Sequence, residues 1–161
     1  MHHHGDELIR DLTVRAIRSR IDVLNMVAVN RSGHIGGAFS VAEILTSLYF
    51  HHLRIDPANP SWPGRDRLLF SKGHACAMLY SVLAHRGFFE PRLLTTFRCF
   101  GSILQGHPDP AKTPGVEIAA GPLGHGIAIG AGMALSLRMG DPKPSSRSSP
   151  SARASPARGT A

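Results

Sequence analysis

Four glycine-histidine pairs punctuate this sequence: Gly33-His34, Gly73-His74, Gly106-His107 and Gly124-His125. With 17 glycines and 10 histidines in 161 residues, random order would give roughly one such pair. Neutral imidazole donates to phosphate or hydroxyl oxygens and, with an unperturbed pKa of about 6.5, shuttles protons near neutral pH. Glycine beside it lets the backbone come close to a ligand. Three readings are open. In the first, each pair is turn chemistry, glycine supplying the backbone angles and histidine tolerating them. A zinc site is the second, and it fails on spacing: separations of 40, 33 and 18 residues contain no local ligand pair, and no cysteines or carboxylates cluster beside the histidines. The third has several histidines converging on a phosphate-bearing cofactor and a polar substrate.

The elements that must carry these histidines follow from periodicity. From Asp6 to about Asn30, the residues Leu8, Ile9, Leu12, Ala16, Ile17, Ile21, Leu24 and Ala28 recur at three- and four-residue steps, which predicts a long amphipathic helix. It stops at the breakers Gly33 and Gly36-Gly37, so His34 sits at a helix end. Ser40 and Glu43 form an S-x-x-E capping signature ahead of a second helix over Val41 to His52. The stretch from Arg54 to Arg67, rich in proline, reads as a surface loop. Leu68, Leu69 and Phe70 then read as a short buried strand leading through Ser71-Lys72-Gly73 into a helix from His74 to His85. In α/β proteins ligands gather at the carboxyl ends of such strands, where the next helix presents unpaired amides. A shorter helix is expected from Pro91 to Phe100, then a polar loop with His107, then a short strand at Val116-Glu117-Ile118. After GPLGHG a helix over IAIGAGMALSLRM carries Ala128, Gly130, Ala131, Gly132 and Ala134, small residues that predict close packing against a neighbour.

Composition narrows the function classes. The hydrophobic share of 42% suffices for one globular domain. No apolar run reaches the ~18 residues of a membrane span, and the N-terminus lacks a secretory signal, so a cytoplasmic location with no membrane is expected. Cys76 and Cys99 are expected to be reduced. The net charge of +7 is scattered, with +3 of it in residues 141–161, and without aromatic interleaving it does not describe a nucleic-acid surface. Residues 1–5 read as a tag-like or disordered N-terminus. Residues 141–161 contain no Leu, Ile, Val, Phe or other aromatic residue and read as a disordered, low-complexity tail, either native or produced by a frameshift after about residue 140.

The ordered motifs SGHIGGAFSVAEIL, DRLLFSKGHACAMLYSVLAHRGFF, GSILQGHPDP and GVEIAAGPLGHGIAIGAGMALSLRM resemble those of the transketolases over residues 6–140. The likeness is nearest to the N-terminal subunit of the split, two-subunit type. It implies an α/β fold, here the incomplete thiamine-diphosphate-binding fold with a parallel sheet and flanking helices, rich in helix in this segment. It also implies thiamine diphosphate, Mg2+, and transfer of a two-carbon ketol unit from a ketose phosphate to an aldose phosphate. A deoxyxylulose-phosphate synthase or dihydroxyacetone synthase uses the same cofactor and is the alternative enzyme; a non-catalytic fragment that binds a partner subunit is the alternative without chemistry.

By that resemblance, His34 and His74 are the catalytic candidates. His34 also faces substrate, and His74 also lies by the cofactor diphosphate. His107 meets the donor sugar's hydroxyls, and Gly121, Pro122 and Leu123 form a turn against the cofactor. His125 stands where the family more often has glutamine. Arg31 reads as a solvated helix end rather than a phosphate ligand. The family's Gly-Asp-Gly motif, its later asparagine and its activating glutamate have no counterpart in these residues, so no metal ligand is assigned. The expectation is therefore a chain inactive alone and requiring a partner, the C-terminal transketolase subunit, the intact family forming a dimer or heterotetramer.

Overall fold

A computed structural model describes residues 3–140. The expected tail at 141–161 lies outside the described residues. The long helix α1 spans His3–Asn30. Its inward face is Ala16, Ser19, Val23 and Met26, all buried, at the three- and four-residue steps that put side chains on one side of a helix.

The centre of the molecule is α4, Cys76–Arg86, in which every residue from Cys76 to Ala84 is buried. A helix apolar on all sides can only be stable when neighbours surround it. Here α1, α2 (Ile35–Phe39), α3 (Ala42–Ser47) and a 3-10 turn at Pro91–Thr96 do so. Gly87, at φ 97°, ends α4 in the left-handed conformation. Its N–H bonds to Ala84 O at 3.0 Å and the Phe88 N–H to Leu83 O at 3.1 Å, which satisfies carbonyls left free at the helix end.

Several expectations change. The second helix is shorter than predicted: α3 ends at Ser47 and gives way to a π-helical turn, Leu48–His52. Ser40 and Glu43 do not form a capping box, since Val41 caps α3 without a side-chain bond. Longer-range partners take both groups. Ser40 Oγ accepts from Lys72 Nζ at 2.7 Å, and Glu43 pairs with Arg20 at 2.6 Å. The helix expected over Pro91 to Phe100 is the 3-10 turn Pro91–Thr96.

Neither Leu68-Leu69-Phe70 nor Val116-Glu117-Ile118 forms a strand, and among the described residues there is no strand pairing at all. A strand exists only through hydrogen bonds to a neighbouring strand; the parallel sheet that the resemblance implied is not seen here. Glu117 is instead gripped by Arg65 through two 2.8 Å bonds, Nε to Oε1 and Nη2 to Oε2. This two-pronged pair fastens the 116–118 segment to the proline-rich loop.

The last helix, α5, spans His125–Arg138. Contrary to the packing expected from its small residues, only Gly126 is buried. Ile127, Leu135, Leu137 and Met139 stay 60–82% exposed. The apolar face is present, but no described segment covers it.

Candidate functional site

Short-range packing around two glycines assembles the site. The loop after α1 turns at Gly33, whose φ of 149° is in the region that favours glycine. It delivers His34 to the start of α2, where the His34 carbonyl accepts from the Ala38 N–H at 3.0 Å. A 3-10 turn at Gly73–Ala75 precedes α4 and carries His74. The two imidazoles meet edge to face with ring centroids 5.5 Å apart. A methyl carbon placed on Gly37 would lie 3.0 Å from His74 Cδ2, so glycine there leaves room for the second ring.

Gly73 brings in two further segments. A methyl carbon on it would lie 1.8 Å from Ala120 O and 2.9 Å from His107 Cδ2. Ala120 directly precedes the Gly121-Pro122-Leu123 turn. His34, His74 and His107 therefore converge with that turn at the head of α4, although 40 and 33 residues separate the histidines in sequence. Gly121, Pro122 and Leu123 are exposed, with nothing standing in front of Gly121. His125 is also exposed and opens α5 beside them. The next residue, Gly126, docks on Ser71, its N–H 3.2 Å from Ser71 Oγ. Arg31 is exposed at the end of α1 in a left-handed conformation, φ 48°.

Sequence reasoning missed the groups that hold this cluster. Lys72 Nζ donates to Gly37 O at 3.0 Å and to Ser40 Oγ at 2.7 Å, tying the His74 loop to the His34 loop. Behind His107, Tyr80 Oη donates to Gln105 O at 2.9 Å and Cys76 Sγ to Gly106 O at 3.2 Å. Burial pushes the Cys76 thiol up to about 11 and the Tyr80 phenol above its usual range, so both stay protonated and donate. Lys72 was legible as the residue before a glycine-histidine pair. Tyr80 and Cys76 had no local signal beyond an apolar helix.

A second polar knot lies across α1 and α4. Asp22 Oδ2 takes a bond from Ser81 Oγ at 2.7 Å and sits 2.6 Å from His85 Nε2. Burial works to raise the Asp22 pKa, but the His85 and Ser81 hydrogen bonds and the charges nearby outweigh it and leave the carboxylate below its usual range. No group of three or more His, Cys, Asp and Glu gathers among the described residues in a way that could hold a metal ion.

Known proteins resemble this chain in sequence and fold. The model of the family described as "Transketolase, thiamine diphosphate binding domain" matches residues 9–144. The chain belongs to the transketolase family. It is 41% identical over 136 residues to a 6-deoxy-6-sulfo-D-fructose transketolase subunit of a Clostridium species, covering 84% of this chain and 46% of that subunit. It is 39% identical over 131 residues to an apulose-4-phosphate transketolase subunit of Phocaeicola vulgatus, covering 81% of this chain and 46% of the relative. The transketolase from Campylobacter jejuni superposes with a TM-score of 0.72 at 42% identity, over 79% of this chain and 20% of that one. The chain thus spans less than half the length of the split-type transketolase subunits it matches. No described helix is long and apolar enough to cross a membrane.

Proposed function

We propose that this chain supplies the histidine-bearing part of a thiamine-diphosphate-dependent transketolase that moves a two-carbon ketol unit from a ketose phosphate to an aldose phosphate. The observation that carries the reading is the meeting of His34, His74 and His107 with the Gly121 turn around Gly73. The residues present suit the approach of a diphosphate-bearing cofactor. Gly121 has nothing within 4 Å of where a methyl carbon on it would stand and is exposed, so backbone there is open to a ligand, and His74 stands at the head of α4, where an imidazole can donate to a diphosphate oxygen. When bound, thiamine diphosphate supplies the electron sink that allows a carbon-carbon bond beside a carbonyl to break.

This chain's own residues orient the sugar and handle protons. His34 takes and returns a hydroxyl proton of the substrate, and His74 beside it donates to phosphate oxygen. His107 donates to the donor sugar's hydroxyls, and Gly121, Pro122 and Leu123 offer backbone against the cofactor. Two of the related subunits are named for a sulfonated fructose and for apulose-4-phosphate, both ketoses with an anion at the far end. That supports a ketose with a terminal anionic group as donor. No residue gathered here is assigned to Mg2+, and this reading assigns the activating glutamate to a C-terminal partner subunit.

The test is a kinetic comparison of H34A, H74A and H107A in the complex with the C-terminal subunit. H34A should lower kcat by about 10²–10⁴, whereas H107A should raise the donor KM with a smaller effect on kcat. Wild-type kinetics in all three variants would refute the assignment.

A further inference from the structure

We propose that Arg98 is a positioning residue that locks the His34 loop to the His107 loop, an inference that rests on the ketol-transfer reading for its consequence but not for its geometry. Arg98 Nη1 donates to Ser32 Oγ at 2.6 Å, two residues before His34. Its Nη2 lies 3.5 Å from Gly106 O, immediately before His107. One guanidinium therefore spans two loops that are 66 and 8 residues away in sequence. Its planar fork suits that task, because two donors leave it in fixed directions.

The local structure pays to keep this residue in place. Arg98 has a φ of 61°, left-handed for a residue with a side chain, a conformation that persists only where surroundings enforce it. Its Nε is buried with no hydrogen-bond partner, which is unfavourable in its own right. The turn enforcing this is closed by the Arg98 N–H to Leu104 O bond at 2.8 Å. The guanidinium carbon sits 5.3 Å from the Phe97 ring centroid, and Phe97 Cε1 reaches within 3.5 Å of where a methyl carbon on Gly33 would stand. Arg98 and Phe97 together set the spacing of the Gly33-His34 and Gly106-His107 pairs.

R98G and R98K separate positioning from general scaffolding. Glycine relaxes the left-handed backbone while removing the fork, and lysine keeps the charge without it. In the full chain, ¹⁵N-imidazole NMR signals of His34 and His107 should move or broaden in both variants, with His85 unchanged and the melting midpoint of R98G close to that of wild type. With the C-terminal subunit, thiamine diphosphate and Mg2+, the donor KM of R98G should rise at least tenfold, with kcat changing less. Unmoved His34 and His107 signals in R98G, or a shift of His85 along with them, would overturn the proposal. If wild type itself shows no ketol transfer, the functional reading fails, and the imidazole spectra still decide the role of Arg98.

Discussion

Gly73 and Ala120 pack backbone to backbone: a methyl carbon on Gly73 would stand 1.8 Å from the Ala120 carbonyl oxygen. That contact joins the turn bearing His74 to the turn Gly121-Pro122-Leu123, with the His107 ring against the same spot. The obstruction is a backbone atom, so no side-chain rotation relieves it. We expect G73A to cost about 1–3 kcal/mol or more and to lower the melting midpoint by at least ~4 °C. Circular-dichroism melting of G73A beside G36A provides the control, since Gly36 has nothing within 4 Å. Equal melting of the two variants would show that the turns are not in contact.

The two cysteines differ in chemistry. Cys76 is fully buried, its thiol pushed up to about 11, whereas Cys99 is exposed. Because the thiolate is the nucleophile, maleimide at pH 8 should label Cys99 rapidly and Cys76 only after unfolding. Mass spectrometry of the modified peptides reads this directly. Rapid native-state labelling of Cys76 would mean that α4 is not the enclosed centre of the fold.

Tyr80 holds the backbone before His107 through its 2.9 Å bond to Gln105 O. Y80F removes the shorter of that carbonyl's two donors at little cost in packing, leaving only the Cys76 thiol at 3.8 Å. A loss of about 1–2 kcal/mol in urea unfolding is expected, together with a shifted His107 imidazole signal. Unchanged stability and an unchanged His107 signal would place the support of this loop elsewhere.

Asp22 gives the fold an acid-sensitive contact. Folding lowers its pKa, so the unfolded chain binds more protons in this range, and stability rises with pH. Its contribution is full above the ordinary aspartate value of 3.8 and is lost as pH falls through the lower folded value. D22N should therefore be less stable than wild type by about 1–3 kcal/mol at pH 7, with the gap narrowing at pH 3 and below. Urea unfolding at both pH values measures it; a gap independent of pH would contradict the account.

Much of this was legible in sequence, and the failures share a cause. The existence of α1, α4 and α5 followed from periodicity and breakers, and the convergence of Gly-His pairs was anticipated for His34, His74 and His107. Which side of α1 faces inward was not. Ile17, Ile21 and Leu24 belong to the apolar pattern yet are 45–52% exposed, while Ser19 is buried. A helix with apolar residues on two sides does not declare its inner face until a neighbour chooses one. Ser40 and Glu43 showed the local capping pattern, but Lys72 and Arg20, 32 and 23 residues away, took both groups. The predicted strands and the buried α5 likewise depend on neighbours that local patterns do not supply. The contacts of Arg98 and Tyr80, made across distant loops, left no trace in residue spacing.

The central claim is that the histidine cluster serves ketol transfer in an assembly. Its most direct measurement is the rate of two-carbon transfer from a ketose phosphate to an aldose phosphate, with thiamine diphosphate and Mg2+, for this chain alone and mixed with the C-terminal transketolase subunit. The account predicts turnover in the mixture that is lost in H34A, and none from the chain alone. Robust turnover by the chain alone, or a mixture as active with H34A as with wild type, would contradict it.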